Sequence, residues 1–269
     1  MKLTDVGGGV RLAVHELGAG PPVVLVAGFG MDSAVWDRQV RLLTPAHRVV
    51  CVDQRGHGGS DAPLSGYDVD SLAVDLRAVL LDLGVTGATV VGWSFGGQVA
   101  FRLAVTAPEL VARLVLVGSN AVRASRSAEF PFGPPAERAV AALVAAEHAD
   151  RLAARRATVA SGFRGDPDPA LLDWLVGRSL QMPSWAAVAC YASMLTADQV
   201  GDVAAVVMPV LQVLGADDPV HTVEGARWLA ERLPDSRLEV LPACGHYPMY
   251  EAADAFDAVL TPFVDGASG

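Results

Sequence analysis

Gly92-Trp93-Ser94-Phe95-Gly96 lies between an apolar run, Ala88 to Val91, and a segment with helical character, Gly97 to Ala107. A serine flanked by glycine two residues away on each side, on a strand-to-helix turn, is held at the end of a sheet as an exposed alcohol nucleophile. The tight turn drives the serine toward strained dihedrals. Small residues are needed at 92, 96 and 97 because a Cβ there would collide with the neighbouring strand or helix. Ser94 is therefore the first candidate for covalent catalysis. In a chain with 27 glycines the pentapeptide is a short pattern, and its weight rests on what surrounds it.

Outward from the pentapeptide, short apolar runs alternate with amphipathic segments. Val23–Ala27, Val49–Val52, Thr89–Val91 and Leu114–Val117 are bounded by glycine, aspartate or serine, as buried parallel strands are. Ser33–Leu43, Asp70–Leu83 and Gln98–Ala107 have helical spacing; in the second, Leu72, Ala73, Leu76, Val79 and Leu80 recur on one face. Such alternation predicts an α/β fold with a mostly parallel central sheet and helices on both faces. After Gly118 it breaks. Residues 121–200 contain no convincing strand and read as helices over 136–159, 169–180 and 184–195. The pattern then resumes with a strand at 210–214, a helix over 224–233, a strand at 238–241 and a helix over 253–263. This organisation predicts a core domain, 1–120 with 201–269, and a helical cap, 121–200, inserted in it. The only stretch resembling a low-complexity tail is 266–269.

Bulk composition narrows the function classes. A chain of 269 residues, 52% of them hydrophobic, can bury one full core. A net charge of −10 argues against nucleic acid and anionic membrane surfaces as partners. The only lysine is Lys2, so Schiff-base chemistry has no credible residue. Cys51, Cys190 and Cys244 are odd in number and lack CxxC spacing, which reads as free thiols in a reducing compartment. The six histidines form no HExxH-like pair, so no metal and no cofactor is expected. No signal peptide or spanning segment is evident, and a cytoplasmic location without membrane insertion is the expectation. Within 121–200 eight arginines balance eight acids. Arg151, Arg155 and Arg156 form a local cluster that could meet an acidic substrate or an acyl carrier, or simply be a solvated helix face.

Serine attack on a carbonyl needs a base, an orienter for the base and donors for the oxyanion. In this architecture they lie at the ends of different strands, in the order Ser, acid, His. Asp218, in Gly215-Ala216-Asp217-Asp218-Pro219, follows the 210–214 strand, and His246, in Cys244-Gly245-His246, follows the 238–241 strand. The N–H of Phe95, the residue after the nucleophile, is one oxyanion donor. His57 reads as a turn support, and His15, His47, His148 and His221 have no partner visible in the sequence.

Over about residues 10–264 the chain resembles the α/β-hydrolase superfamily. The resemblance is carried by the 92–96 turn, GADDPV at 215–220, CGHYPMYE at 244–251 and DQRGHGGSDAP at 53–63. It implies the α/β-hydrolase fold, with 121–200 as the family's helical cap. It also implies Asp218 rather than Asp217 as the acid, because the family's acid stands three residues after the glycine ending its strand. The N–H of Phe29 becomes the second oxyanion donor. Here the chain departs from the family, which commonly has a histidine where Ala27 stands. Serine as nucleophile argues against dehalogenase and most epoxide-hydrolase chemistry, and the lack of a lysine near Asp218 disfavours hydroxynitrile lyases.

The resulting expectation is a serine hydrolase, a carboxylesterase or lactonase, acting on a small, largely apolar ester or lactone. The pocket candidates are Trp36, Trp93, Trp185, Tyr191, Met194 and Tyr247, together with Phe29, Phe95, Trp174 and Met182. A ligand-binding receptor or biosynthetic accessory protein with little turnover, and a cofactor-free haloperoxidase or perhydrolase, are the alternatives on the same fold. Short stretches resemble enol-lactone hydrolases, pimeloyl-type methyl esterases and butenolide-receptor hydrolases in turn, so the substrate stays open.

Overall fold

The computed structural model describes residues 1–266; the end of the 266–269 segment and of the expected core range lies outside the described residues. Eight strands form one sheet: β1 (Lys2–Asp5), β2 (Arg11–Leu17), β3 (Pro22–Val26), β4 (Arg48–Val52), β5 (Ala88–Trp93), β6 (Val111–Val117), β7 (Val210–Gly215) and β8 (Ser236–Leu241). Their order is β1-β2-β4-β3-β5-β6-β7-β8. β2 pairs antiparallel with both β1 and β4, and every other pairing is parallel.

The central strands read as continuous apolar runs because both faces are covered. Val24 and Val26 of β3, with Leu114 and Leu116 of β6, pack beneath α2 (Val69–Asp82), α3 (Phe95–Thr106) and α8 (Val223–Ala230). Val23, Leu25, Val115 and Val117 point the other way, toward α1 (Asp37–Leu43) and α10 (Ala253–Val264). Each of these fully buried valines and leucines contributes about 1.5–3 kcal/mol relative to exposure. In α2 the buried set includes Leu72, Ala73, Leu76, Val79 and Leu80, the face predicted from spacing. Asp68 starts that helix by accepting a hydrogen bond from Ser71 N, and Gly84 leaves it at φ +61°.

Three features differ from the sequence-based expectation. The β1–β2 hairpin was not anticipated: β1 buries only Thr4, so it offers no apolar run to detect. The segment 33–43 is a 3-10 turn (Ser33–Trp36) followed by α1. The helix expected over 136–159 is two, α4 (Ala136–Ala149) and α5 (Arg151–Ala160). Asp150 adopts φ −154° between them and its carboxylate caps α5 through Ala153 N. Alanine-rich periodicity hid that break, although an Asp at an N-cap is its ordinary signal. With α6 (Pro169–Ser179) and α7 (Ser184–Thr196), these helices fill the interval between β6 and β7, which contains no strand. The short α9 (Pro248–Glu251) follows the His246 loop. Among the described residues no helix is long and apolar enough to cross a membrane.

Candidate active site

Ser94 sits between β5 and α3 with φ 54° and ψ −119°. A β-substituted residue in that region costs about 1–3 kcal/mol and persists only where its surroundings impose it. They do so here. Ser94 N donates to Val117 O (2.9 Å), and Ser94 O accepts from Ser119 Oγ (2.8 Å) and Gly97 N (2.9 Å). The turn also meets the loop after β3 at very short range. A Cβ on Gly96 would lie 2.5 Å from Ala27 O, and one on Gly28 would lie 3.0 Å from Ser94 Cβ. Glycine at these two positions is what lets the loop bearing Phe29 reach the serine.

The residues expected at three strand ends are brought together. Ser94 Oγ donates to His246 Nε2 (2.9 Å), and His246 Nδ1 donates to Asp218 Oδ2 (2.9 Å). The other carboxylate oxygen, Oδ1, accepts from Val220 N (2.8 Å) and His221 N (3.0 Å). Burial pushes the Asp218 carboxyl up, but the charge and hydrogen bond of His246 together with His221 outweigh it and hold the group below its usual value. Asp217 is half exposed and pairs with Arg164 instead. The imidazole is braced from behind: Trp93 Nε1 donates to His246 O (2.9 Å), and His246 N donates to Gly162 O (2.8 Å).

Neither Phe29 N–H nor Phe95 N–H donates to a protein acceptor among the described residues. These two backbone N–H groups, one on the residue after Ser94 and one on the residue after Gly28, are thus free to donate to a ligand. Where the family commonly has a histidine, Ala27 is tied instead by Gln54, whose Nε2 donates to Ala27 O (2.9 Å).

A cavity of about 280 Å³ opens on Ser94, walled by Phe95, Gln98, Ala124, Pro134, Ala139, Leu143, Tyr191, Met194, Leu195, Pro219 and Val220, with Thr158, Ser161 and His221 as its other polar groups. Tyr191 and Met194 are where the sequence placed them. Phe95 lines the cavity too, whereas Phe29, Trp36, Trp93, Trp174, Met182, Trp185 and Tyr247 do not. Trp36 is 0% exposed and packs beneath the sheet with Leu43 and Phe256. Trp93 and Tyr247 form the apolar backing of His246, their rings 5.2 Å apart. Trp185 is 51% exposed on the surface. Large aromatic residues are as useful for packing as for binding, and composition does not separate the uses. Met182 is buried in the core and Trp174 is exposed against Tyr250.

His221 stands three residues past Asp218 with no motif of its own, so the sequence carries no signal for a place in the cavity. It lines the cavity with its ring centroid 5.7 Å from that of His246, and burial pushes its pKa down to about 4. The cavity therefore has a neutral imidazole beside His246 across the physiological range. The arginine cluster, by contrast, is engaged by other protein groups, Arg155 in the interior and Arg156 at the surface. Arg155 is completely buried against Glu147, Arg151 donates to Met182 O (2.8 Å), and Arg156 pairs with Asp173. Among the described residues no group of three or more His, Cys, Asp or Glu is arranged to hold a metal ion.

His57 supports the loop after β4, its Nδ1 donating to Arg55 O (3.0 Å). Burial, with Arg155 adding and Asp32 opposing, lowers its pKa from 6.5 to about 4. The unfolded chain binds this proton at higher pH than the folded one. Stability from a neutral His57 is thus complete above about pH 6.5 and is lost as pH falls toward 4, by about 3 kcal/mol. Urea unfolding of the protein and of His57→Asn, which keeps the donor, at pH 7 and pH 4.5 is expected to show a shallower loss in the variant. Equal slopes would contradict the assignment.

A family model described as the alpha/beta hydrolase fold matches residues 21–253. The chain belongs to the α/β-hydrolase family. It is 32% identical over 249 residues to a pimeloyl-[acyl-carrier protein] methyl ester esterase of Nitrosomonas europaea, covering 90% of this chain and 95% of that one. It is 30% identical over 239 residues to a 3-oxoadipate enol-lactonase of Acinetobacter baylyi, covering 88% and 86%. Among solved structures an esterase from Exiguobacterium antarcticum superposes with TM-score 0.95 at 26% identity, over 98% of this α/β-hydrolase and 99% of the esterase.

Proposed function

We propose that this α/β-hydrolase is a serine hydrolase that cleaves carboxylic esters or lactones through an acyl-enzyme. The observation that carries the reading is the hydrogen-bonded chain Ser94–His246–Asp218 at the floor of an apolar cavity. His246 removes the Ser94 proton as Oγ attacks the carbonyl carbon, while Asp218 holds the tautomer that leaves Nε2 free to accept. The N–H groups of Phe95 and Phe29 take up the oxyanion. His246 returns the proton to the departing alcohol, and water activated by the same histidine releases the acid.

The wall of Leu143, Met194, Leu195 and Val220 suits a small apolar acyl group or lactone ring; residues 121–200 act as the cap that shapes it. The esterase and lactonase relatives support hydrolysis of an ester or lactone. Of the arginine triplet that could meet an acidic acyl carrier, Arg155 is buried against Glu147, while Arg151 and Arg156 are already engaged by Met182 O and by Asp173.

A panel of p-nitrophenyl esters from acetyl to decanoyl, with γ- and δ-lactones, tests the reading. Saturable hydrolysis, best for short to medium chains, is expected. Folded protein that turns over none of them yet binds a ligand tightly would overturn hydrolysis in favour of a receptor. Filling the wall with Leu143→Trp should lower the hexanoyl-to-acetyl ratio of kcat/KM by roughly 10-fold or more, since each displaced methylene loses about 1 kcal/mol or more of pocket binding. An unchanged ratio would place the acyl chain elsewhere.

A further inference from the structure

The loop carrying Phe29 is clamped from the inserted helices by a buried ion pair. Arg155 of α5 is fully buried and grips Glu147 of α4 with two hydrogen bonds, Nε to Oε2 (2.7 Å) and Nη2 to Oε1 (2.9 Å). Glu147 also accepts from Ser184 Oγ (2.8 Å) at the start of α7. These partners leave one face of the guanidinium free, and it lies over the Phe29 ring at 5.4 Å from the centroid. Tyr191 of α7 stacks on the same ring at 4.4 Å and 27°. The Phe29 side chain is thus held by a cation and an aromatic ring, both supplied by the insertion.

Arg155 reaches the loop by a second route. Its Nη1 donates to Ser179 O (2.6 Å) and Ser179 Oγ (3.1 Å). That serine packs so closely on Gly30 that an added Cβ would stand 2.7 Å from Oγ. One residue away, Arg178 forms an ion pair with Asp32. Residues 29, 30 and 32 are therefore all fixed by α5, α6 or α7.

We propose that the buried Arg155–Glu147 pair positions the second oxyanion donor, holding the Phe29 ring, and through it the Phe29 N–H, beside Ser94. Arg155 is a positioning residue: it touches neither the serine nor the substrate cavity. The insertion then has a catalytic consequence besides enclosing the substrate, because displacing α5 from the loop dismantles half of the oxyanion hole. The clamp stands where the family's usual histidine is absent, with Gln54 holding only the Ala27 carbonyl.

The inference rests on the hydrolase reading. Removing one charge alone would strand the other in the interior, so the main variant replaces both, Arg155→Met with Glu147→Leu. Circular dichroism and thermal melting verify its fold, and kcat and KM are measured on the best ester of the panel. A fall in kcat of roughly 100-fold with KM within about threefold is expected, the signature of a misplaced donor rather than a damaged pocket. Phe29→Ala should show a comparable loss, and adding the pair replacement to it should lower kcat little further, because both act through one N–H. Arg155→Lys, which keeps the charge but not the two-pronged grip, is the second variant if the first does not fold. It should lose roughly 10-fold in kcat at unchanged KM. Folded variants with kcat within threefold of the parent, or losses that multiply with that of Phe29→Ala, would overturn the proposal. A parent protein that hydrolyses nothing would sink the hydrolase reading itself, which keeps the two failures apart.

Discussion

Replacing Ser94 with alanine is expected to lower kcat on an activated ester by on the order of 10⁴- to 10⁶-fold without loss of the fold. The hydroxyl is the only group removed, and its one side-chain partner, His246 Nε2, keeps its place through Asp218 and the Trp93 and Gly162 contacts. Ser94→Gly separates chemistry from strain. Glycine adopts φ 54° freely, so this variant should lose turnover equally yet gain about 1 kcal/mol of stability, read as a higher Tm. A gain in stability together with a loss of activity is what a strained nucleophile predicts. If Ser94→Ala retained more than roughly a hundredth of the parent rate, the nucleophile would have to be another group.

The second large effect belongs to Asp218→Asn, with an expected loss of about 10⁴-fold in kcat. The substitution is nearly isosteric, so the loss follows from hydrogen-bond polarity. Both carboxylate oxygens accept: Oδ2 from His246 Nδ1, and Oδ1 from the Val220 and His221 N–H groups. An amide must turn its NH₂ toward one side. Facing His246, it forces the proton onto Nε2, which can then no longer accept from Ser94. Facing the loop, it sets donor against two backbone donors and disrupts the turn that carries the acid. Asp217→Asn is the control. That carboxylate only pairs with Arg164 at the surface, and its loss should change kcat less than about threefold. Equal effects at the two positions would mean that the acid has been misassigned.

The fold was legible where one pattern dominated. Buried parallel strands such as β3, β5 and β7 are unbroken apolar runs, and α2 repeats its apolar face at helical spacing. The β1–β2 hairpin was not legible, because an edge strand with a single buried residue has no such run. The break at Asp150 was written as a cap but masked by alanines on both sides. The site divides in the same way. Ser94, Asp218 and His246 each follow a strand and stand in a fixed order, so motif and chain position bring them to notice, with the family resemblance choosing Asp218 over Asp217. The cavity wall comes from side chains of α4, α5 and α7 whose facing depends on how those helices pack, which no local pattern encodes. Trp36 and Trp185 show the limit in both directions: one tryptophan fills the core and the other lies on the surface. Arg155 shows it most sharply. In sequence it belongs to a basic cluster suited to solvent or an acidic partner, yet Glu147, eight residues earlier, takes it into the interior.

The central claim is that Ser94 is a nucleophile activated by His246. Its most direct test is reaction with a fluorophosphonate, followed by intact mass and peptide mapping of the parent protein, Ser94→Ala and His246→Ala. A single adduct on the peptide carrying Ser94, absent from Ser94→Ala and slowed by orders of magnitude in His246→Ala, is the predicted result. Folded parent protein that takes up no label, or an adduct that persists in Ser94→Ala, would contradict it.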